Sequence, residues 1–181
     1  MKKITMLTAA TALMAGTLYS TTPANAQTTG LVPLRGKVGV FLPRGDAQDF
    51  SGSTHFNAEV ELLLPKVFPG SGITGVNVGY SQGSRDGNKL RMIPVTIEKL
   101  FGLPNPAAAV TGNIYAGAGI GPYFLRVSRD RGSESKTTIG GFGVVGYQFP
   151  SKLFVEAKYH LAGSVGGVSP KGLALLVGRS F

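Results

Sequence analysis

From Val155 to Leu161 apolar and polar residues alternate, and Leu153 keeps the same parity. Leu153, Val155, Ala157, Tyr159 and Leu161 share one face, and Glu156, Lys158 and His160 share the other. A period of two marks a β-strand, and a strand with hydrocarbon on one face and charge on the other separates two unlike environments. The last strand repeats the pattern, with Leu173, Leu175, Val177 and Phe181 opposed by Gly172, Ala174, Gly178 and Ser180. Pro150-Ser151 leaves room only for a tight turn before Lys152. A final strand with apolar residues outside must satisfy both rows of its backbone groups, and closure onto an earlier strand does so.

The same alternation recurs upstream. Val38, Val40 and Leu42 oppose Arg35, Lys37 and Gly39; Phe56, Ala58, Val60, Leu62 and Leu64 oppose His55, Asn57, Glu59 and Glu61. Val76, Val78 and Tyr80 oppose Gly75, Asn77 and Gly79, and Ile93, Val95 and Ile97 oppose Pro94, Thr96 and Glu98. In 113–127, Ile114, Ala116, Ala118, Ile120 and Phe124 oppose Tyr115, Gly117, Gly119, Gly121 and Tyr123, and a sixth strand covers 137–149. With the last hairpin this makes eight antiparallel strands. Pro43–Ser53 and Ser128–Ser135 are expected to be polar loops, Ser81–Asn88 a hairpin loop on Asp86-Gly87, and 65–72 and 104–110 turns. Pro94, which cannot donate to a ladder, is expected at an edge or a bulge.

Met1-Lys2-Lys3, the apolar stretch Ile4–Tyr19 and the small residues of Pro23-Ala24-Asn25-Ala26 read as a signal peptide over 1–26, with 27–34 a periplasmic tail and 35–181 the barrel. Mean hydropathy is +0.15, yet beyond residue 26 no uncharged apolar run approaches the roughly 20 residues of a spanning helix. Hydrophobicity without a helical span points to strands. There is no cysteine, which excludes a disulfide framework and any cysteine-based site, and no tryptophan, so an interfacial girdle would fall to the 10 Phe and 6 Tyr. The net charge of +9 comes without a clustered Lys/Arg stretch interleaved with aromatics. An anionic membrane surface therefore fits better than nucleic acid.

The terminal Phe181, with apolar residues at alternate positions before it, resembles the C-terminal signature read by the barrel-insertion machinery of the bacterial outer membrane. Arg179 departs from the apolar residue usual there. Asn113-Ile114-Tyr115-Ala116-Gly117-Ala118-Gly119-Ile120-Gly121, Ile93-Pro94-Val95 and Phe154-Val155-Glu156-Ala157-Lys158-Tyr159 resemble the small outer-membrane β-barrels, such as the transmembrane domain of outer-membrane protein A. The resemblance implies an all-β fold, an eight-stranded antiparallel transmembrane barrel, in the outer membrane. It names no activity.

The inner face then collects Arg35, Lys37, His55, Glu59, Glu61, Glu98, Glu156, Lys158 and His160. Eight strands enclose just enough space for side chains to fill, so these charges are expected to pair and close the lumen. Arg35 and Lys37 would meet Glu59 and Glu61. Lys158→Gln is expected to cost less than a charge placed at Val155 or Leu175. The reading is a small structural or interaction barrel at the cell surface, not an enzyme and without a cofactor. A diffusion pore or small-solute transporter is the alternative. A lipid A-modifying enzyme using His160, Ser164 and Glu156 is a second, but His160 and Ser164 are four residues apart across a glycine, unlike the deacylase barrels. His55 and His160 lack further converging ligands for a metal. Bases near the mouth, Arg126, Arg129 and Arg131 among them, would face lipopolysaccharide phosphates. Partners are thus lipid, lipopolysaccharide and the insertion machinery, with no nucleic acid and the oligomeric state open.

Overall fold

The computed structural model describes residues 33–64, 72–103, 111–130 and 132–181. The expected signal peptide, most of the 27–34 tail, nearly all of the two turns at 65–72 and 104–110, and Arg131 lie outside those residues.

Eight strands run in sequence: β1 Leu34–Arg44, β2 His55–Leu64, β3 Ile73–Arg85, β4 Asn88–Gly102, β5 Asn113–Arg129, β6 Gly132–Gln148, β7 Leu153–Ala162 and β8 Lys171–Ser180. Each pairs antiparallel with the next, and β8 pairs with β1 from Arg35↔Ser180 to Arg44↔Lys171, so the barrel is closed. The Phe181 amide extends the seam by donating to the Leu34 carbonyl at 2.9 Å. Every strand is thus paired on both sides over the barrel body, whereas β6 runs on beyond its β7 pairing, which begins at Gly140↔Ala162.

The alternation sorts the two faces as the sequence implies. Val38, Val60, Val78, Ile97, Ile120, Val145, Val155, Leu175 and Val177 are exposed on the outside, while Arg35, Lys37, Glu59, Glu61, Glu98, Glu156 and Lys158 are buried in the lumen. This is the inverse of a soluble barrel, in which the apolar face fills the interior.

Three expectations change. Pro43–Ser53 is not all loop: Asp46–Ser51 forms a short helix, α1, whose Ala47 and Ser51 turn inward one helical turn apart and are fully buried. Ser51 Oγ donates to the Ala47 carbonyl at 2.7 Å and meets His55 Nε2 at 2.9 Å. Second, most of the polar stretches is strand: 81–85 and 88 in the first, 128–129 and 132–135 in the second. The β3–β4 turn shrinks to Asp86-Gly87, both at positive φ (51° and 79°), as a two-residue hairpin turn requires. Strands β5 and β6 run 17 residues each and pair as far as Arg129↔Gly132. Polarity was a poor guide to their ends, because a hairpin rising beyond an apolar band has water on both faces and needs no alternation.

Third, Pro94 lies on a strand paired on both sides, not on an edge. The β3–β4 pairing passes from Val78↔Val95 to Ser81↔Met92, skipping Gly79, Tyr80, Ile93 and Pro94. Gly79 makes this tolerable, since a Cβ there would lie 2.9 Å from Pro94 Cγ. The ladder yields where the donor is missing, and the residue facing the ring has no side chain.

Candidate functional site

The lumen is layered along the barrel axis. At the end where β1 begins and β8 finishes, the Arg35 guanidinium stacks on the Phe154 ring, 3.7 Å from its centroid. Its Nη1 reaches Glu61 Oε2 at 3.2 Å and Glu156 Oε1 at 3.3 Å. Arg35 Nη2 donates to the Tyr115 hydroxyl, which donates onward to Glu156 Oε1 at 2.7 Å. Lys37 Nζ contacts Glu61, and Glu156 Oε2 at 2.9 Å. Two bases of β1 thus share two acids, Glu61 from the adjacent β2 and Glu156 from β7 beyond β8, with an aromatic lid and a phenol beside them.

One layer further in, Lys158 Nζ donates to Glu59 Oε2 at 2.7 Å, with Glu98 Oε2 at 3.6 Å and Glu156 Oε2 at 3.8 Å. His160 Nδ1 lies 3.0 Å from the Tyr123 hydroxyl, and Nε2 lies 3.9 Å from Glu59 Oε1. The rings of Phe41 and Phe142 pack against that imidazole, with centroids at 5.9 and 5.3 Å. His55 is engaged by α1 through Ser51 and takes no part in an ion pair among the described residues.

Beyond His160 the lumen turns apolar. Phe41, Leu90, Met92, Leu125, Val127 and Leu176 form one buried cluster with Ala47 of α1 and with Val165 and Val168 of the β7–β8 connection. The expected plug was charge alone; the structure adds a hydrocarbon layer, capped by a helix, on the far side of it. Leu90, Met92, Leu125 and Val127 have inward parity on stretches read as strand, but the inner face was expected to be polar there.

In-register neighbours are not always the ion pairs. Lys37 stands directly opposite Glu59 across β1 and β2, yet Glu59 is held by Lys158 from across the lumen, and Lys37 turns to Glu61 and Glu156. Tyr115, Tyr123, Phe142 and Phe154 complete the network and were not singled out as site residues, although Tyr115 and Tyr123 already lay on the inner face. Each large ring lies against a glycine of the adjacent strand. A Cβ at Gly146 would collide with Tyr115, one at Gly178 with Phe154, and one at Gly119 would lie 2.6 Å from the Phe142 ring. Gly119→Val is therefore expected to lower stability by about 1–3 kcal/mol through overpacking, read as a lower denaturant midpoint of the folded, gel-shifted band.

At the mouth, Arg126 points outward and Arg129 inward. Arg129 Nη2 donates to the Gly166 carbonyl at 2.8 Å, and its guanidinium lies over Phe50 of α1, 5.0 Å from the ring centroid, tying the β7–β8 connection to the helix. Ser164, in that connection, is exposed, whereas His160 is 1% exposed and already bonded to Tyr123. Phe181 is exposed on the outer face beside Gly36.

No protein-family model and no curated protein sequence matches the chain. Solved structures do. Neisserial surface protein A superposes with a TM-score of 0.62 at 13% identity, covering 82% of this chain and 94% of that one. The chain shares the fold of the small outer-membrane β-barrels. The N-terminal β-barrel domain of Pseudomonas aeruginosa OprF gives a TM-score of 0.53 at 13% identity over 84% of this chain and 100% of that one. The Yersinia pestis outer membrane protein Ail, solved in a phospholipid bilayer nanodisc, gives 0.54 at 14% identity over 83% and 100%. Identities this low speak for the shared barrel and leave the role to be argued from the chain's own residues.

Proposed function

We propose that the chain is a small bacterial outer-membrane barrel with a structural or interaction role at the cell surface, and that it neither conducts freely nor catalyses a reaction. The observation that carries this reading is the doubly closed lumen: a buried ion-pair layer around Arg35, Lys37, Lys158 and four glutamates, then a hydrocarbon layer beneath α1. An ion crossing it would have to break the first and dehydrate in the second. The exposed apolar band on all eight strands calls for hydrocarbon around it, and a closed barrel is the β-structure that hydrocarbon permits. Export through the signal peptide over 1–26, recognition of Phe181 by the insertion machinery and contact of Arg126 and Arg131 with lipopolysaccharide belong to the same proposal, whereas Arg129 is engaged by Gly166 and Phe50.

An even strand count places both ends of the barrel's chain on one side, the periplasmic side in this reading, with α1 and the long β5–β6 hairpin at the cell surface. The refolded barrel in a planar bilayer is expected to show no steady conductance. A large, sustained conductance from the unmodified protein would instead support the alternative of a diffusion pore.

A further inference from the structure

On the outer wall, near the end that carries α1, two arginines stand directly opposite each other on neighbouring strands: Arg91 of β4 and Arg126 of β5. Like charges in that position repel. Among the described residues neither has a carboxylate partner, and the exposed ion pair found there is Arg85–Asp86 in the β3–β4 hairpin. Both guanidiniums are nonetheless held. Arg91 Nε and Nη2 donate to Gln82 Oε1 at 3.2 and 3.1 Å, the same oxygen accepts the Tyr80 hydroxyl at 2.8 Å, and Arg126 Nη2 donates to Ser133 Oγ at 3.3 Å. Immediately below the arginines, toward the apolar band, lie the paired residues Ile93 and Phe124. A groove of about 260 Å³ is lined by these four residues together with Ser135, Lys136 and Thr137 of β6.

We infer that this groove binds the phosphate headgroup of an anionic membrane lipid, with Arg91 and Arg126 on the phosphate and the acyl chains against Ile93 and Phe124. An anion between the two arginines turns their mutual repulsion into two charge-assisted contacts, and the planar donor fork of each matches phosphate oxygens. The depth is right for a headgroup, because the arginines mark the row where the outer face changes from hydrocarbon to polar side chains. Gln82 and Tyr80 are positioning residues that fix the Arg91 fork. The inference rests on the membrane placement proposed above and adds a defined lipid site to it.

The test uses the full barrel refolded in phosphatidylcholine vesicles containing phosphatidic acid, then extracted in mild detergent for native mass spectrometry. The unmodified barrel is expected to retain phosphatidic acid over phosphatidylcholine, and Arg91→Gln with Arg126→Gln to weaken that retention by about thirtyfold, the loss of two interfacial bases. Arg179→Gln, an exposed arginine at the other end of the barrel, is expected to leave it unchanged. Equal retention by the double variant, or no preference in the unmodified barrel, overturns the site while leaving the membrane placement intact. Displacement of the lipid by millimolar inorganic phosphate also overturns it, since the acyl contacts would then contribute nothing. A chain that stays folded in water apart from the vesicles overturns both.

Discussion

Lys158→Gln is expected to lower the unfolding free energy of the barrel by about 3–5 kcal/mol, the usual cost of removing one partner from a buried charge network. Lys158 is fully buried, and its ammonium stands among the carboxylates of Glu59, Glu98 and Glu156 at 2.7, 3.6 and 3.8 Å. A glutamine of similar length carries no charge to set against the carboxyl groups that the Lys158 ammonium contacts away from water. The sequence alone placed this substitution below a charge on the outer face in cost; the geometry removes that ranking, because Lys158 answers to three acids rather than to one neighbour. Equilibrium urea unfolding in vesicles reads the difference. Arg85→Gln, at the exposed pair with Asp86, is expected to change stability by less than about 0.5 kcal/mol. Pairing Lys158→Gln with Glu59→Gln should recover part of the loss, and the coupling between the two sites measures the ion pair itself. A loss under about 1 kcal/mol for Lys158→Gln would mean that water reaches this layer.

The parity of each strand could be read from the sequence because the two faces of the barrel meet opposite solvents. Every charged side chain of the lumen network sat on the correct face for that reason, and β2 was read from His55 to Leu64 as the structure has it. What escaped was anything set by the third dimension. Lys158 and Glu59 are 99 residues apart and meet only because the barrel closes. The α1 helix follows from Ala47 and Ser51 finding a buried place in the mouth, and six residues of mixed polarity carry no periodicity to announce it. The hydrocarbon layer was missed because the inner face was expected to be polar throughout. Leu90, Met92, Leu125 and Val127 are instead inside, near the mouth, where α1 and the β7–β8 connection cover them. Phe154 and Tyr115 escaped as network members because an arginine's stacking partners are set by the barrel's diameter, not by spacing along a strand.

The second large effect concerns the outer wall. Val155 and Leu175 are exposed on neighbouring strands, each flanked by apolar partners, Val155 by Val177 and Leu175 by Val40 and Ala157. In water an arginine at either position is an ordinary surface substitution, worth within about 0.5 kcal/mol. In a bilayer the same charge lies in hydrocarbon and costs about 2–4 kcal/mol near the midplane, less toward the interfaces. The central claim, that lipid covers the apolar band, is therefore tested most directly by the unfolding free energies of Val155→Arg and Leu175→Arg in phosphatidylcholine vesicles. The account predicts a loss of about 2–4 kcal/mol for each, whereas stabilities indistinguishable from the unmodified barrel, with the protein remaining in the aqueous phase, would contradict it.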